Sequence, residues 1–323
     1  MGYLLGTDEA GYGPNLGPLV ISATVWEAPE EVGGEDLFGR LAHVIAPGVH
    51  HVRAAGGPYV AMADSKVLYT PDKGLRHLER GLWAALGLLG RRPRTWRDVW
   101  RELAPEALEA MRSIAWYADY DGPAPLCCDA EETEPLVEAL GRGLAAAGVR
   151  LAAVRSRVIF AGEFNELIER HGSKGAALSH ETLALAARMI EALPPGPISL
   201  ICDKHGGRNR YGPLLAEHFP EWLIEVRGEG RARSVYRFGP AERRIEVCFR
   251  TQAESCLPAA LASMASKYLR ELAMRALNEY WRGRVPGLQP TAGYPQDAKR
   301  FRADIAETQA KLHIADRVLW RMR

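Results

Sequence analysis

Hydrophobic residues change their spacing along the first 90 positions, and each spacing predicts a different element. Residues 3–7 and 19–26 are short apolar runs rich in β-prone side chains. The Gly- and Pro-rich residues 11–18 separate them, which predicts two neighbouring strands joined by a shaped loop. Leucines then recur at helical spacing over residues 75–89 and stop at Gly90, which predicts an amphipathic helix.

The second half of the chain alternates β-prone runs with helical patterns. The predicted strands are residues 149–160, 198–202, 222–226, 234–238 and 245–249, and the predicted helices are residues 176–193, 258–281 and 296–323. The Gly239-Pro240 turn between the last two strands suggests a hairpin. Together these elements predict an α/β fold with a mixed sheet flanked by helices.

Residues 91–148 differ in character from the segments on either side. Arg91-Arg92-Pro93-Arg94 opens a Trp-bearing helical stretch, and a second helical pattern covers residues 133–147. We interpret this segment as a helical subdomain inserted at the periphery of a core that residues 1–90 and 149–323 form. On this interpretation, a short linker in place of the insertion should leave the core folded.

Composition is typical of a globular protein and gives no global sign of a nucleic-acid partner. Of the 323 residues, 47% are hydrophobic and 25% are charged, as in soluble domains with a full core. The 41 Lys and Arg residues against 40 Asp and Glu residues give a formal charge of +1. Any nucleic-acid binding must therefore use a local basic patch.

Cysteine spacing and hydropathy predict a cytoplasmic protein. The five cysteines, of which Cys127 and Cys128 are adjacent, form neither an even set for disulfides nor a C-x-x-C pair for zinc. Asp8 and Glu9 cut the first apolar run short, which predicts a strand rather than a signal peptide. No stretch of the sequence approaches the roughly 20 apolar residues of a membrane span.

Acidic residues stand at the ends of predicted strands or ahead of a helix. Asp8 and Glu9 end the first strand, Asp203 follows a buried strand, and Glu254 precedes the long helix. Acids in such places can converge at one edge of a sheet, and hard oxygen ligands that converge favour Mg²⁺ or Mn²⁺. Taken singly, each acid is more simply explained as a solvated charge at a strand end.

Asp8 and Glu9 are neighbours in one predicted strand. Side chains adjacent in a regular strand point to opposite faces, so these two carboxylates can share a site only if the chain bends. Gly11 and Gly13 follow directly and lack the Cβ atom that restricts the backbone. We therefore expect a bend close to Asp8.

The residues around the acids resemble the motifs of the ribonuclease HII family. Residues 6–14, Gly-Thr-Asp-Glu-Ala-Gly-Tyr-Gly-Pro, and residues 16–20, Leu-Gly-Pro-Leu-Val, are similar to the family's long N-terminal signature. Shorter similarities follow in the family's order at Asp64-Ser65-Lys66, Leu200-Ile201-Cys202-Asp203, Ala253-Glu254, residues 262–267 and Gly293-Tyr294. Residues 91–148 lie outside these similarities.

This resemblance implies a ribonuclease H-like fold and an endonuclease that hydrolyses the RNA strand of an RNA/DNA hybrid duplex. Two metal ions, Mg²⁺ or Mn²⁺, would act on the attacking water and on the leaving 3′-oxygen, and the products would carry 5′-phosphate and 3′-hydroxyl ends. Asp8, Glu9 and Asp203 would be catalytic metal ligands.

Two acids compete for the fourth catalytic position. Glu254 stands where the family usually has aspartate, just ahead of a helix that Pro258 is suited to begin. Glu271 would lie roughly 20 Å along that helix at about 1.5 Å per residue, whereas paired catalytic metals sit only about 4 Å apart. Glu271 also has Arg275 four residues away as an ion-pair partner. We therefore predict that Glu254 is the fourth ligand.

The resemblance also implies residues that bind the substrate. In the family, the loop at Gly11, Tyr12 and Gly13 recognises the ribonucleotide, since a glycine backbone can approach a 2′-hydroxyl closely. Tyr12 stands where the family usually has arginine, which removes a phosphate-binding group. The other candidates for substrate contacts, each of which alone would be an ordinary surface or packing residue, are Lys66, Lys204, Lys267 and Tyr294.

Other functions agree with parts of the pattern. Tyr12 and the insertion favour, as an alternative, a ribonuclease H-fold nuclease that acts on another structured nucleic acid. A non-catalytic nucleic-acid-binding protein on the same scaffold is a further alternative, although like charges retained without metals would only reduce stability. Gly11-x-Gly13 resembles the start of a dinucleotide-binding motif, but Leu16 stands where that motif needs its third glycine.

Overall fold

The computed structural model describes residues 1–49, 59–69 and 74–322. The described strands, numbered along the chain, are β1 (Gly2–Ala10), β2 (Leu19–Ala28), β3 (Ile45–Ala46), β4 (Val60–Ala61), β5 (Arg150–Ile159), β6 (Ile198–Asp203), β7 (Glu225–Glu229), β8 (Arg233–Phe238) and β9 (Ile245–Arg250). Seven of them form one sheet in the order β5-β2-β1-β6-β9-β8-β7, and β3 pairs with β4.

The central strands of the large sheet are parallel and its outer strands are antiparallel. β1 runs parallel to β6, and β6 runs parallel to β9. β1 with β2, β2 with β5, β7 with β8 and β8 with β9 are antiparallel pairs. The sheet is therefore mixed, as predicted, and the hairpin at Gly239-Pro240 is confirmed as the connection between β8 and β9.

Helices cover both faces of the sheet. The described helices are α1 (Leu37–Arg40), α2 (Ser65–Leu68), α3 (Arg76–Leu88), α4 (Trp96–Leu103), α5 (Ala107–Met111), α6 (Ala130–Ala146), α7 (Ala161–His171), α8 (Lys174–Glu191), α9 (Gly212–His218), α10 (Leu257–Arg282), α11 (Pro295–Lys311) and α12 (Asp316–Leu319). Short 3₁₀ turns occupy Ala241–Arg243 and Ala253–Ser255. The described helices contain none long and apolar enough to cross a membrane.

The predicted helices are present with small shifts of their ends. The leucine pattern forms α3, which ends before Gly90 in the left-handed conformation that glycine favours (φ +70°). The segment predicted as one final helix instead forms α11 and α12, separated at His313, whose φ is +53°. Its last residue, Arg323, lies outside the described residues. The helices α7 and α9 are additions that the hydrophobic pattern does not predict.

The long helix α10 crosses β1 at very close range. A Cβ atom on Gly6 would lie 2.2 Å from the backbone nitrogen of Ala259 and 2.3 Å from the carbonyl carbon of Pro258. Only glycine allows this approach. Thr24 on β2 anchors the same turn, because its hydroxyl donates a 2.8 Å hydrogen bond to the Pro258 carbonyl. These contacts fix the start of α10 against the middle of the sheet.

The helices of residues 91–148 pack into the main hydrophobic core. Trp96 and Trp100 on α4 are 2% and 0% exposed, and they belong to the same cluster of buried side chains as Trp26 on β2. The Trp96 indole donates a 3.2 Å hydrogen bond to the carbonyl of Leu272 on α10. These helices therefore bury surface that α10 and the sheet would otherwise expose.

Candidate active site

β1 carries Asp8 and Glu9 in regular strand geometry. Asp8 pairs with Ser22 and Glu9 with Ile21 in a register without a bulge. The expected bend near Asp8 is therefore absent, because antiparallel pairing with β2 continues through Ala10 and holds the backbone extended. The charge of Glu9 nevertheless raises the pKa of Asp8, so the two carboxyl groups lie close to each other without the expected bend.

Asp8 faces α10. The hydroxyl of Ser263 lies against its carboxyl group and lowers its pKa, and the hydroxyl of Ser266 donates a 2.9 Å hydrogen bond to its backbone carbonyl. The charge of Glu9 raises the pKa of the half-buried Tyr12 phenol in addition to burial. Both acids still interact with Asp203, which ends the neighbouring strand.

The parallel strands β6 and β9 bring the next two acids to the same edge. Asp203 is the last residue of β6 and pairs with Arg250, the last residue of β9. Glu254 follows four residues later in the 3₁₀ turn Ala253–Ser255, which packs against β6 and the start of α10. The carboxyl ends of adjacent parallel strands thus gather acids that are far apart in the sequence.

Asp64 is a further carboxylate at this edge. It caps α2 by accepting a 3.1 Å hydrogen bond from the backbone nitrogen of Lys66. Its charge raises the pKa of both Asp203 and Glu254 beyond the effect of burial. The hydrophobic pattern does not single out Asp64 as a site residue, although the Asp64-Ser65-Lys66 motif contains it.

The clustered carboxyl groups hold their protons more tightly than free carboxyl groups do. Burial, followed by the charge of Glu9, raises the pKa of Asp8 well above its usual value. Burial and the charge of Asp203 raise the pKa of Glu9 to about 7. Burial is also the main cause of the raised pKa values of Asp203 and Glu254. The positive charges and hydrogen-bond donors of the protein therefore do not fully neutralise the negative charge at this edge.

Lys66 supplies positive charge to the cluster. Its ammonium lies 3.9 Å from the carboxylate of Asp64. The negative charge of Asp64 is the main cause of the raised pKa of Lys66. Lys66 lowers the pKa of Glu9, Asp203 and Glu254. Its side chain is 87% exposed, so the ammonium group can also reach a ligand in solvent.

The acids have the chemistry of a hard-cation site. Asp203 Oδ1 is buried and has no hydrogen-bond partner among the described residues, and a buried oxygen in that state is costly unless something else compensates it. Carboxylate oxygens are the ligands that Mg²⁺ and Mn²⁺ prefer. Within the described ranges, no three acidic, His or Cys side chains already stand in a metal-binding arrangement.

The predicted recognition loop lies beside Glu9. Gly11 has φ +90°, a conformation that favours glycine. Gly13 is exposed, and a Cβ atom added to it would meet nothing within 4 Å. The Tyr12 hydroxyl lies 3.5 Å and 3.3 Å from where Cβ atoms on Gly175 and Gly206 would be. Tyr12 thus packs between the start of α8 and the loop after β6, and does not reproduce an extended arginine.

Tyr294 and Lys267, two other predicted substrate residues, differ in whether neighbouring protein groups already bind their side chains. Tyr294 is 57% exposed at the start of α11. The Lys267 ammonium is 2.5 Å from Glu271 Oε1 and 4.5 Å from the centre of the Tyr69 ring. Lys267 is therefore held by its own neighbours beside α2.

Lys204 is tied to protein acceptors. Its ammonium donates hydrogen bonds to the carbonyls of Gly230 (2.7 Å) and Arg208 (3.3 Å), to Asn209 Oδ1 (2.9 Å) and to Ser234 Oγ (3.2 Å). Burial lowers its pKa. The ammonium therefore joins the loop after β6 to the β7–β8 hairpin, and this structural role was not predicted.

The partner predicted for Glu271 is wrong. Glu271 pairs with Lys267 and accepts a hydrogen bond from Tyr69, whereas Arg275 pairs with Glu279 at 2.7 Å. Lys267 and Arg275 are each four residues from Glu271 on the helix. Tyr69 contacts both Lys267 and Glu271, and so favours that pair over Glu271 with Arg275.

A cavity of about 430 Å³ opens beside Asp203. Its lining consists of Asp203, Lys204, Gly207, Asn209, Arg231, Thr251 and Gln252. Gln252 has φ +58°, a left-handed conformation that is uncommon for a residue with a Cβ atom and that is often found at functional sites. The sequence patterns do not single out Arg231 or Gln252, because neither belongs to a motif.

The chain is similar in structure to solved ribonucleases H at low sequence identity. A ribonuclease HII from Archaeoglobus fulgidus, solved as a complex with PCNA, is 13% identical over 99% of this chain and 94% of its own, with a TM-score of 0.44. Ribonuclease H2 from Pyrococcus horikoshii is 15% identical over 98% of this chain and 92% of its own, with a TM-score of 0.42.

A third similar structure is Bst-RNase HIII in complex with Mn²⁺, which is 14% identical over 99% of this chain and 66% of its own, with a TM-score of 0.40. No protein-family model and no curated protein sequence matches the chain.

Proposed function

We propose that this protein is a metal-dependent endonuclease that hydrolyses the RNA strand of RNA/DNA hybrids. The observation that carries the proposal is the gathering of Asp8, Glu9, Asp203 and Glu254 at one sheet edge with raised pKa values, inside motifs that resemble those of ribonuclease HII. Four acids that stay under-compensated in the folded protein are explained best if cations complete the site.

Asp8, Glu9, Asp203 and Glu254 would hold two Mg²⁺ or Mn²⁺ ions. Bound ions of this kind activate a water for attack on phosphorus and stabilise the leaving oxygen. The water oxygen would bond to phosphorus as the bond to the 3′-oxygen breaks; the water would lose a proton and the 3′-oxygen would take one up from solvent, which would leave a 5′-phosphate and a 3′-hydroxyl. Asp203 would contribute the buried Oδ1 that has no other partner in the described structure.

The surrounding residues would bind and orient the nucleic acid. Lys66 is exposed beside the acids and would attract a backbone phosphate. The exposed Gly13 offers open backbone for close approach of a sugar, and the exposed Tyr294 offers a ring for stacking. Lys204 and Lys267, which are bound to protein groups, would act mainly by holding the walls of the site.

Another structured nucleic acid is a second candidate substrate. The packed position of Tyr12 favours it, because the loop then lacks the arginine fork that grips a phosphate in the family. We also propose a cytoplasmic location, which the five free cysteine thiols support.

Cleavage of end-labelled duplexes tests these proposals. RNA/DNA hybrid, double-stranded RNA, double-stranded DNA and a branched junction are incubated with the protein and Mg²⁺ or Mn²⁺, and Asp203→Asn serves as the control for contaminating nucleases. We expect metal-dependent cutting of the hybrid by the unaltered protein alone. Cutting of the junction alone would select the second candidate, and binding without cutting of any duplex would reject the nuclease proposal.

A further inference from the structure

Arg321, near the C-terminus, is buried beneath the glycine loop of residues 11–18. Its side chain is 0% exposed and its guanidinium stacks on the Phe164 ring, 3.8 Å from the ring centre. Nη1 donates a 2.5 Å hydrogen bond to the Gly11 carbonyl, and longer contacts reach the carbonyls of Gly17 (3.4 Å) and Tyr12 (3.5 Å). These acceptors are neutral oxygens of the loop backbone.

Backbone hydrogen bonds fix this arginine in place from two sides. The Arg321 nitrogen donates to the Asn15 carbonyl (2.9 Å), and the Asn15 side-chain amide donates to the Arg321 carbonyl (3.1 Å). On the other side, Asn165 on α7 donates to the Trp320 carbonyl (2.9 Å) and accepts from the Met322 nitrogen (2.7 Å). The C-terminal segment is thus clamped between the loop and α7.

Arg270 on α10 holds the far end of the same loop. Its guanidinium donates to the carbonyls of Pro18 (2.8 Å), Leu16 (3.2 Å) and Ala292 (3.1 Å). A Cβ atom on Gly17 would lie 2.8 Å from Arg270 Nη1, so glycine is needed for this approach. Two buried guanidinium groups therefore hold most of the loop's carbonyls on its inner side.

Burying these charges is costly, which indicates a specific role. Burial, together with the nearby charge of Arg270, lowers the pKa of Arg321 to about 9. Breaking such an arrangement would leave either a buried cation or several loop carbonyls without partners. A hydrophobic side chain could fill the space beside Phe164, but it would not orient the loop.

The orientation of the carbonyls determines where the loop's N–H groups point. In a trans peptide, the carbonyl of one residue and the N–H of the next point in opposite directions. Because the Gly11 and Tyr12 carbonyls face Arg321, the N–H groups of Tyr12 and Gly13 face the opposite, open side. That side carries the exposed Gly13 and adjoins Glu9.

We propose that Arg321 is a positioning residue that holds the Tyr12 and Gly13 N–H groups ready to bind phosphate or sugar oxygens of a nucleic-acid backbone. The proposal rests on the proposed function for its ligand, but the ordering of the loop does not depend on activity. Arg321 touches neither the carboxylates nor the substrate, so its loss should affect binding more than the chemical step.

Hydrogen–deuterium exchange of the substrate-free protein tests the ordering. Arg321→Ala and Arg321→Lys are compared with Arg302→Ala, a control at an exposed arginine that pairs with Asp316 and lies over Trp320 but does not reach the loop. We expect residues 10–18 to exchange faster in both Arg321 variants than in the unaltered protein. Exchange at residues 10–18 in Arg302→Ala, and exchange in β6 of every variant, should stay unchanged. Unchanged exchange at residues 10–18 in a folded Arg321 variant overturns the proposal, whether or not the protein is a nuclease.

Steady-state cleavage of a hybrid then separates positioning from a general loss of structure. We expect Arg321→Ala to raise KM about tenfold, as loss of one or two hydrogen bonds predicts, with kcat within about threefold of the unaltered value. Dilute guanidinium ion should restore part of the affinity of Arg321→Ala, since it can refill the space over Phe164. If Arg321→Ala does not fold, Arg321→Lys decides by the same KM and kcat measurement. A fall in kcat at constant KM contradicts the proposal.

Discussion

Tyr69 donates a 3.0 Å hydrogen bond to Glu271 Oε2, while Lys267 occupies the other carboxylate oxygen of the same residue. Glu254, the other candidate for the fourth catalytic position, lies among Asp64, Asp203 and Lys66. Glu271 thus has two partners of its own, Lys267 on α10 and Tyr69 at the end of α2, whereas Glu254 belongs to the group of interacting acids.

Glu254→Gln should reduce cleavage severely, whereas Glu271→Gln should leave most of it. The amide of the first variant cannot supply negative charge to a cation, while the second loses only the partly buried ion pair with Lys267, away from the group of acids. Cleavage rates at saturating hybrid, with each variant's melting temperature as the folding control, decide the matter. A large loss in Glu271→Gln beside a near-normal Glu254→Gln would reverse the assignment.

Asp203→Asn should keep the fold and nearly abolish cutting. The amide has the shape of the carboxylate but would place a neutral group where Oδ1 has no protein partner. Binding of Mn²⁺, measured by calorimetry, should weaken in parallel with the loss of cleavage. Activity equal to that of the unaltered protein would refute the metal-ligand role.

The metal-free protein should become less stable as the pH rises from about 4.5 to about 7. The folded state raises the pKa of Glu9 from 4.5 to about 7, so over this range it binds more protons than the unfolded state, and stability falls as they are lost. Urea unfolding at several pH values, in chelator, measures this slope. Glu9→Gln should make the free energy of unfolding depend less on pH, and added Mg²⁺ should reduce the loss of stability at higher pH. An equally steep dependence in Glu9→Gln would show that Glu9 does not cause it.

Replacing Lys66 should affect nucleic-acid binding, whereas replacing Lys204 should affect the stability of the protein. Lys66→Ala should weaken hybrid binding and reduce the dependence of affinity on salt by about one phosphate contact, because its ammonium is exposed. Lys204→Ala should instead lower the melting temperature and leave the salt slope unchanged, because its ammonium is bound to four protein acceptors. Fluorescence anisotropy at several salt concentrations measures both slopes, and a reduced slope in Lys204→Ala would show direct phosphate binding.

Residues 91–148 should contribute to the stability of the whole protein. Trp96→Ala should lower the free energy of unfolding by about 3–5 kcal/mol, since it opens a cavity beside α10 and removes the bond to Leu272. Leu223→Ala, at a side chain that is 93% exposed, is the control and should have little effect. For the same reason we now expect a deletion of residues 91–148 to expose the core. A stable, metal-binding deletion variant would support a separable insertion instead.

The sequence by itself determined most of the long elements and the position of the acids along them. Strand and helix periodicities predicted β1, β2, β5, β6, β8, β9, α3, α8 and α10, because such patterns depend on residues close together in the chain. The placement of Asp203 at a strand end likewise followed from one apolar run, and the motifs around it suggested that the acids share a site.

Only the tertiary structure decided which polar groups meet. The position of α2 brings Asp64 close to Asp203. Lys204 donates a hydrogen bond to Gly230 in the β7–β8 hairpin, and Arg321 donates one to Gly11, 310 residues away in the sequence. A lysine or arginine has the same sequence signature whether it faces solvent, a phosphate or a buried carbonyl. Its partner is selected by the packing around it, since a buried charge must find whatever acceptors the folded backbone brings within reach.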